Sequence, residues 1–335
     1  MKKPLITLPF TPLLIILVLS LLFGCGGPQI KLFSDASDPL QEYTITGEGQ
    51  DKVLVISIHG VISTNPKEGF LRSMPSMVQE TVAQLEKAEK DKHIKALLIK
   101  VDSPGGAVTA GDMLYHEIVA FKEKTGVKVV VAMMGTAASG GYYVSLPADT
   151  IIAHPTTVTG SVGVIIMRPD ISGLMEKIGV KMIVNKSGKN KDMGSPFRPG
   201  TAEEQELLKR VTDDLANRFL TLVQKHRGID EAALAEVATA KIYLAKDAER
   251  LGLVDRIGYL DDALEEARTL AGLPENATVI AYRRTKFPDD NLYNSATSHY
   301  GGKEGVALID TGLPGSSAAA LTPGFYYLWT PGLGM

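Results

Sequence analysis

The sequence predicts an α/β protein, with a mostly parallel sheet built from strand–helix repeats and a helical C-terminal part. Three observations predict it. Runs of consecutive apolar residues, "KVLVISIHG" (52–60), "KALLIKVD" (95–102) and "KVVVAMMG" (128–135), lack the alternation of a strand with one wet face and suit strands covered on both sides. Between them lie stretches with apolar residues at helical spacing, among them Met77, Val78, Val82, Leu85 and Ala88, which form one face of a helix. After residue 200 the pattern becomes mainly helical, opening on Thr201 and Glu204. These two form a T-x-x-E capping box, whose side chains satisfy backbone N–H groups at a helix start.

Taken in order, the first strand run ends in glycine and is followed by a helix over about 74–90. The second leads to a helix over about 108–124, and the third to a small-residue turn and a short helix over about 138–146. "DTIIA" (149–153), "GVIIM" (163–167) and "KMIVN" (181–185) are further strands, with a short helix over 170–178. The capped helix runs to about Arg227, and "KIYLAKDAERLGLVDRIGYLDDALEEA" reads as strand, helix, strand and helix. The main domain thus spans 51–273. Residues 274–335 are expected to form a largely irregular tail, rich in Gly, Pro, Ser and Asp from about 284. Its aromatic end, "PGFYYLWTPG", suits interfacial anchoring, packing against a neighbour, or a visit to an active-site groove.

The chain has 335 residues, 44% of them hydrophobic, enough for one large core or two ordinary domains. A formal net charge of −3 gives no electrostatic reason to expect a nucleic-acid partner. The N-terminal "MKKPLITLPFTPLLIILVLSLLFGCGG" has two lysines, an uncharged apolar stretch and then small residues, the pattern of an export signal over 1–24. "LFGC" resembles a lipobox, which makes Cys25 the lipidated first residue of the mature chain. The competing reading keeps 5–24 as an uncleaved helix just long enough to span a bilayer. Both place the protein outside the cytoplasm, tethered to a membrane through a polar linker over 25–50. Cys25 is the sole cysteine, so no intramolecular disulfide is possible.

Two sites share one grammar, a buried strand followed by a turn of small residues: "KVDSPGGAVTAGDML" and "GTAASGGYYVS". Glycine pairs let backbone N–H groups face a cavity without Cβ interference. At a helix start they favour negative charge, either a phosphate or the oxyanion of a tetrahedral intermediate. No G-x-G-x-x-G follows the first strand and no G-x-x-x-x-G-K-[ST] occurs, which weakens the phosphate reading. The plain alternative is tight strand–helix packing, but adjacent parallel strands deliver both turns to one edge of a sheet. Ser139, before Gly140 and Gly141, is then a candidate nucleophile and needs a base. His154, after "DTIIA", is the best-placed histidine. Lys186, Lys189 and Lys191 in "KSGKNKDMGSPFRPG" offer the Ser–Lys alternative. A lysine base works only when neutral, a fall of about 3 pKa units that needs a desolvated pocket. Spacing does not choose among the three lysines.

"VDSPGGAVTAG", "TAASGGYYVS", "TGSVGV" and "SGKNKDMGSPFRP" occur in that order, and over about residues 50–270 the chain resembles the signal peptide peptidase SppA family in its short bacterial form. The first motif also resembles the ClpP protease, which shares the wider crotonase-like fold. The resemblance implies a crotonase/ClpP-like α/β fold and a serine endopeptidase that degrades signal peptides left in the membrane. It implies Ser139 as nucleophile, Lys191 as general base, the N–H groups of Gly106 and Gly140 as oxyanion donors, and Ser161 as the hydroxyl that orients the lysine. It also implies peptide substrates and a homo-oligomeric ring, with no cofactor and no metal ion. Two other functional classes compete: a crotonase-type acyl-CoA enzyme, which uses paired N–H donors too, and a catalytically silent scaffold that binds peptides or membrane partners.

Overall fold

The computed structural model describes residues 38–68, 73–295 and 324–329. The expected signal segment 1–24, Cys25 and the first half of the linker over 25–50 lie outside the described residues. The central sheet takes the order β1 (Gln41–Thr46), β13 (Thr278–Arg283), β2 (Lys52–His59), β5 (Ile94–Ser103), β7 (Lys128–Ala138), β8 (Thr150–Ala153) and β12 (Arg256–Ile257). From β13 to β12 every neighbour is parallel, and only β1 runs antiparallel. The end of β7 also pairs with β9 (Val158–Gly160), which pairs in turn with β11 (Ile242–Leu244). A two-residue pairing joins β3 (Lys67–Glu68) to β4 (Ser73–Met74). A second sheet sets β14 (Gly324–Leu328) between β6 (Gly105–Ala107) and β10 (Ile165–Met167).

The strands are apolar throughout because successive side chains serve two cores. Leu54, Ile56 and Ile58 of β2, Leu97, Ile99 and Val101 of β5, and Val129, Val131 and Met133 of β7 all enter one core. There they meet the helices α1 (Met77–Ala88), α2 (Val108–Thr125), α3 (Gly140–Ser145) and α5 (Ala202–Arg227). Val53, Val55, Ala96, Leu98, Val130 and Ala132 face the other way, against Leu260, Ala263, Leu264 and Ala267 of α8 (Leu260–Leu270). The remaining helices are α4 (Ser172–Ile178), α6 (Glu231–Val237) and α7 (Ala245–Arg250). The expected capping box is formed: Glu204 N donates to Thr201 Oγ1 at 3.2 Å and Thr201 N to Glu204 Oε2 at 2.9 Å. Among the described residues no helix is long and apolar enough to cross a membrane.

Three expectations need correction. The linker over 25–50 contains β1, an edge strand with mostly exposed side chains and therefore little apolar signal. The tail over 274–335 holds two sheet strands among its irregular stretches where it is described. β13 is a fully buried sheet strand, and β14 completes the second sheet. The β13 signal is short and ends in Arg283 and Arg284, charges that are neutralised by Asp290 and Glu80. "KMIVN" (181–185) forms no strand; its residues are exposed and pair with no neighbouring strand among the described residues.

The two environments separate in stability. Leu97→Ala is expected to cost about 2–5 kcal/mol, as for other buried leucines. Ile183→Ala, at a position 87% exposed, is expected to stay within about 0.5 kcal/mol of the parent. Urea unfolding of both variants checks the pair.

Candidate active site

The parallel strands bring the exits of β2, β5 and β7 to one edge of the sheet. At the end of β5, Ser103 Oγ donates to the Gly60 carbonyl at 2.7 Å and accepts from Gly105 N at 3.1 Å. Ile62 N donates to Gly105 O at 2.9 Å and Ala107 N to Ile62 O at 3.0 Å, so the turn is held from the β2 side. Neither glycine has room for a side chain. An ideal Cβ on Gly106 would lie 2.0 Å from Ile62 O, and Gly105 has φ of +99°.

At the end of β7 the chain turns sharply into α3 through Ser139, with φ 52° and ψ −113°. A non-glycine residue in this conformation costs on the order of 1–3 kcal/mol. Strand-to-helix turns that carry a nucleophilic serine in other hydrolases are strained in a comparable way. Ser139 is 1% exposed, its N–H donates to Gly160 O at 2.8 Å, and its hydroxyl does not cap α3. An ideal Cβ on Gly140 would lie 3.1 Å from Gly106 N. The structure therefore brings together the two expected oxyanion donors, Gly106 and Gly140, beside Ser139. Ser161 follows Gly160, has φ 52°, and is held by its N–H to Lys241 O at 2.7 Å, so it too lies next to the Ser139 backbone.

The lysines behave differently. Lys186 Nζ lies 2.6 Å from Asp192 Oδ1, and Lys189 is paired with Glu203. Arg198 reaches Asp192 at 2.8 Å and also pairs with Glu204. Hydrogen bonding to Arg198, then to Lys186, holds the Asp192 carboxyl well below the usual carboxylate range. Bonding to Arg198 and to the Thr201 N–H pulls Glu204 down to about 2. This network ties the 186–200 loop to the start of α5 and leaves Lys191 exposed. Among the described residues Lys191 Nζ has no hydrogen bond or ion pair, so this conformation does not join it to Ser139 or Ser161. His154 is engaged elsewhere, with Nδ1 2.9 Å from Thr156 Oγ1 and its ring edge-on to Tyr259.

Sequence reasoning did not find the groove. β14 lies antiparallel to β6, with Tyr327 opposite Gly106 and Leu328 opposite Gly105, and antiparallel to β10 on its other side. Trp329 N donates to Pro104 O at 2.8 Å. In an antiparallel ladder the bonded pairs alternate, so Tyr327 and Gly106 form the next bonded pair, and the Gly106 N–H faces the Tyr327 carbonyl. An ideal Cβ on Gly105 would sit 1.9 Å from that carbonyl oxygen and 2.6 Å from Gly140 N. The carbonyl of a peptide strand thus occupies the place assigned to the oxyanion.

The Tyr327 ring is fully buried. It stacks on Tyr143 with centroids 4.9 Å apart, meets Phe219 edge-on at 4.9 Å, and its hydroxyl donates to Leu215 O at 3.0 Å. Burial pushes the phenol up to about 12. Of the readings of "PGFYYLWTPG", the visit to the groove is the one this geometry shows for residues 324–329. Phe219 and Leu215 were hidden in an amphipathic helix, and the aromatic run was the only signal of what they receive.

Residues 121–274 match the family described as Peptidase family S49, and residues 73–159 match Clp protease. A protein of Enterococcus faecium bearing the name signal peptide peptidase SppA is 36% identical over 76% of this chain and 73% of its own. Protease 4 of Haemophilus influenzae is 31% identical over 82% of this chain and 44% of its own length. A ClpP1 mutant from Listeria monocytogenes superimposes with a TM-score of 0.41 at 17% identity, over 63% of this chain and 94% of that one. The α/β fold and these relatives together place the chain among serine proteases. The chain belongs to peptidase family S49.

Tyr327→Ala removes the side chain that anchors β14. Losing a buried aromatic is worth about 3–5 kcal/mol, or roughly a hundredfold or more in strand occupancy. Labelling of Ser139 by a small fluorophosphonate is expected to accelerate in this variant. An unchanged labelling rate would show that β14 does not cover the serine.

Proposed function

We propose that the protein is a membrane-tethered endopeptidase with a Ser139–Lys191 dyad that degrades signal peptides remaining in the membrane after precursor processing. One observation carries this reading: an apolar, aromatic segment of extended chain lies strand-wise over the glycine turns with its carbonyl at the Gly106 N–H. Main-chain pairing supplies affinity without regard to sequence, and the buried pocket selects side chains. Signal peptides, extended and apolar, suit both features. An acyl-CoA thioester has no backbone to fill the ladder, and the protease relatives favour the peptide.

In the proposed reaction, Ser139 Oγ attacks the scissile carbonyl while Lys191, as the neutral amine, accepts the hydroxyl proton. The N–H groups of Gly106 and Gly140 hold the oxyanion. Collapse of the tetrahedral intermediate breaks the C–N bond, and Lys191 returns its proton to the departing amine. Water then repeats the cycle on the acyl-enzyme, with Ser161 orienting the lysine. Because Lys191 is exposed here, its loop has to close over the groove. Ile178, Val180, Met182, Ile183 and Val184 form an exposed apolar run beside that loop. Such a run supports burial against a second copy in a homo-oligomeric ring. Lipidation of Cys25, at the end of an export signal, supplies the tether and places the protein on the extracytoplasmic side.

The test is cleavage of an apolar signal-peptide sequence by the parent chain, Ser139→Ala and Lys191→Ala. Both variants are expected to fold and to lose hydrolysis by roughly three orders of magnitude or more. Full activity in Lys191→Ala combined with loss in His154→Ala would overturn the base assignment.

A further inference from the structure

β5 and β7 do not pair evenly to their ends. Val101 faces Met133, but Ser103 faces Ala137. Asp102 alone therefore stands opposite Met134, Gly135 and Thr136, an insertion of two residues in β7. A bulge leaves backbone groups without their ladder partners, and here side chains replace them on both flanks. Asp102 Oδ1 accepts the Thr136 N–H at 2.9 Å. Across the strand, Thr157 Oγ1 donates to Met133 O at 3.0 Å and to Met134 O at 2.5 Å. Gly135 is small for a reason, since a Cβ there would lie 3.3 Å from Asp102 Oδ1. The second carboxylate oxygen faces His59, the register partner of Asp102 on β2, with Nδ1 at 3.4 Å from Oδ2. The main chain joins the same place: Gly60 N donates to Asp102 O at 2.9 Å.

The bulge decides which residue reaches the turn. With the two extra residues, Ala137 pairs with Ser103, and Ser139 emerges beside Gly105 and Gly106. Were the same residues of β7 paired evenly with β5, residue 135 would face Ser103 and Ser139 would lie two positions too far along. An even insertion also keeps the alternation of faces, so Ala137 stays buried.

We propose that Asp102, oriented by His59, is a positioning residue that sets the register of β7 and thereby aims Ser139 at the paired glycine N–H groups. The assignment rests on Ser139 being the nucleophile. The His59 imidazole beside it, ahead of the Thr136 N–H, holds the Asp102 carboxyl below its ordinary range.

Steady-state kinetics of the full chain on an apolar fluorogenic peptide test this. Asp102→Ala is expected to lower kcat by about 10–100-fold with KM little changed, the signature of a misplaced reacting group rather than lost binding. Asp102→Asn keeps an oxygen for the Thr136 N–H and is expected to recover most of kcat. A parent-like kcat in Asp102→Ala, or Asp102→Asn as impaired as the alanine variant, overturns the inference. Should Asp102→Ala not fold, His59→Ala carries the test: a fall in kcat at unchanged KM supports it, and a parent-like kcat removes the orienting role. Ser139→Ala is assayed alongside. Retained hydrolysis there defeats the nucleophile assignment itself, whatever the Asp102 variants do.

Discussion

At the edge where β5 and β7 end, backbone has to touch backbone, and the rest of the structure is arranged around that contact. Gly105, Gly106, Gly140 and Gly141 all sit where an ideal Cβ would come within about van der Waals overlap of main-chain atoms. Removing those four side chains exposes N–H groups that a larger residue would screen. The arrangement is unfavourable in isolation. Each glycine gives up more chain entropy than alanine, by about 0.5–1 kcal/mol in regular structure, and Ser139 adds its own backbone strain. It survives because two cores over-determine the strands that lead into it. The turn residues have no freedom to relax while Val101, Met133 and Ala137 stay packed beneath them.

α3 shows how the strain at Ser139 is held in place. The helix is less than two turns long, and beside the two tyrosines only Val144 contributes an apolar side chain to the core. Tyr142 and Tyr143 anchor it, as fully buried rings whose hydroxyls donate to Leu253 O at 2.8 Å and to Asp112 Oδ1 at 2.6 Å. Arg218 of α5 binds the same Asp112 oxygen, so the helical C-terminal part is fastened to the catalytic edge. Tyr143 has two roles at once: one end fixes α3, and its ring forms a wall of the pocket that receives Tyr327. In the proposed reaction, substrate selection and nucleophile placement would therefore share a side chain.

The strand–helix alternation was legible because β2, β5 and β7 are continuous apolar runs, a signal that needs no knowledge of their partners. β1 and β13 were not read, because an exposed edge strand and a short strand ending in two arginines become intelligible only once their neighbours are known. "KMIVN" failed for the opposite reason: its apolar residues have the right composition but nothing to pair with among the described residues. At the site, Ser139, Gly106, Gly140 and Ser161 were named from motifs carried by the family resemblance, and the structure sets these residues close together. Their chemistry alone had left packing as a fair alternative. The pocket of Tyr143, Phe219 and Leu215 could not be read, since it joins α3, α5 and the tail, segments far apart in sequence.

The base raises the sharpest physical question. An ammonium paired with a carboxylate is a poor proton acceptor, which disqualifies Lys186 and Lys189, both spent on Asp192 and Glu203. Among the described residues Lys191 has no such partner, and it is the residue that the family resemblance implies as the base. Absence of a carboxylate is necessary for the role but not sufficient, because an amine in water stays protonated at neutral pH. Only desolvation is left to neutralise it, and that requires a surface laid over the 186–200 loop. Peptide in the groove covers one side, and the exposed apolar run from Ile178 to Val184 offers the other to a second copy. In the proposed mechanism, hydrolysis then depends on a base that becomes competent only when the groove is covered. That dependence would keep the protease from acting on every extended chain that reaches its sheet edge.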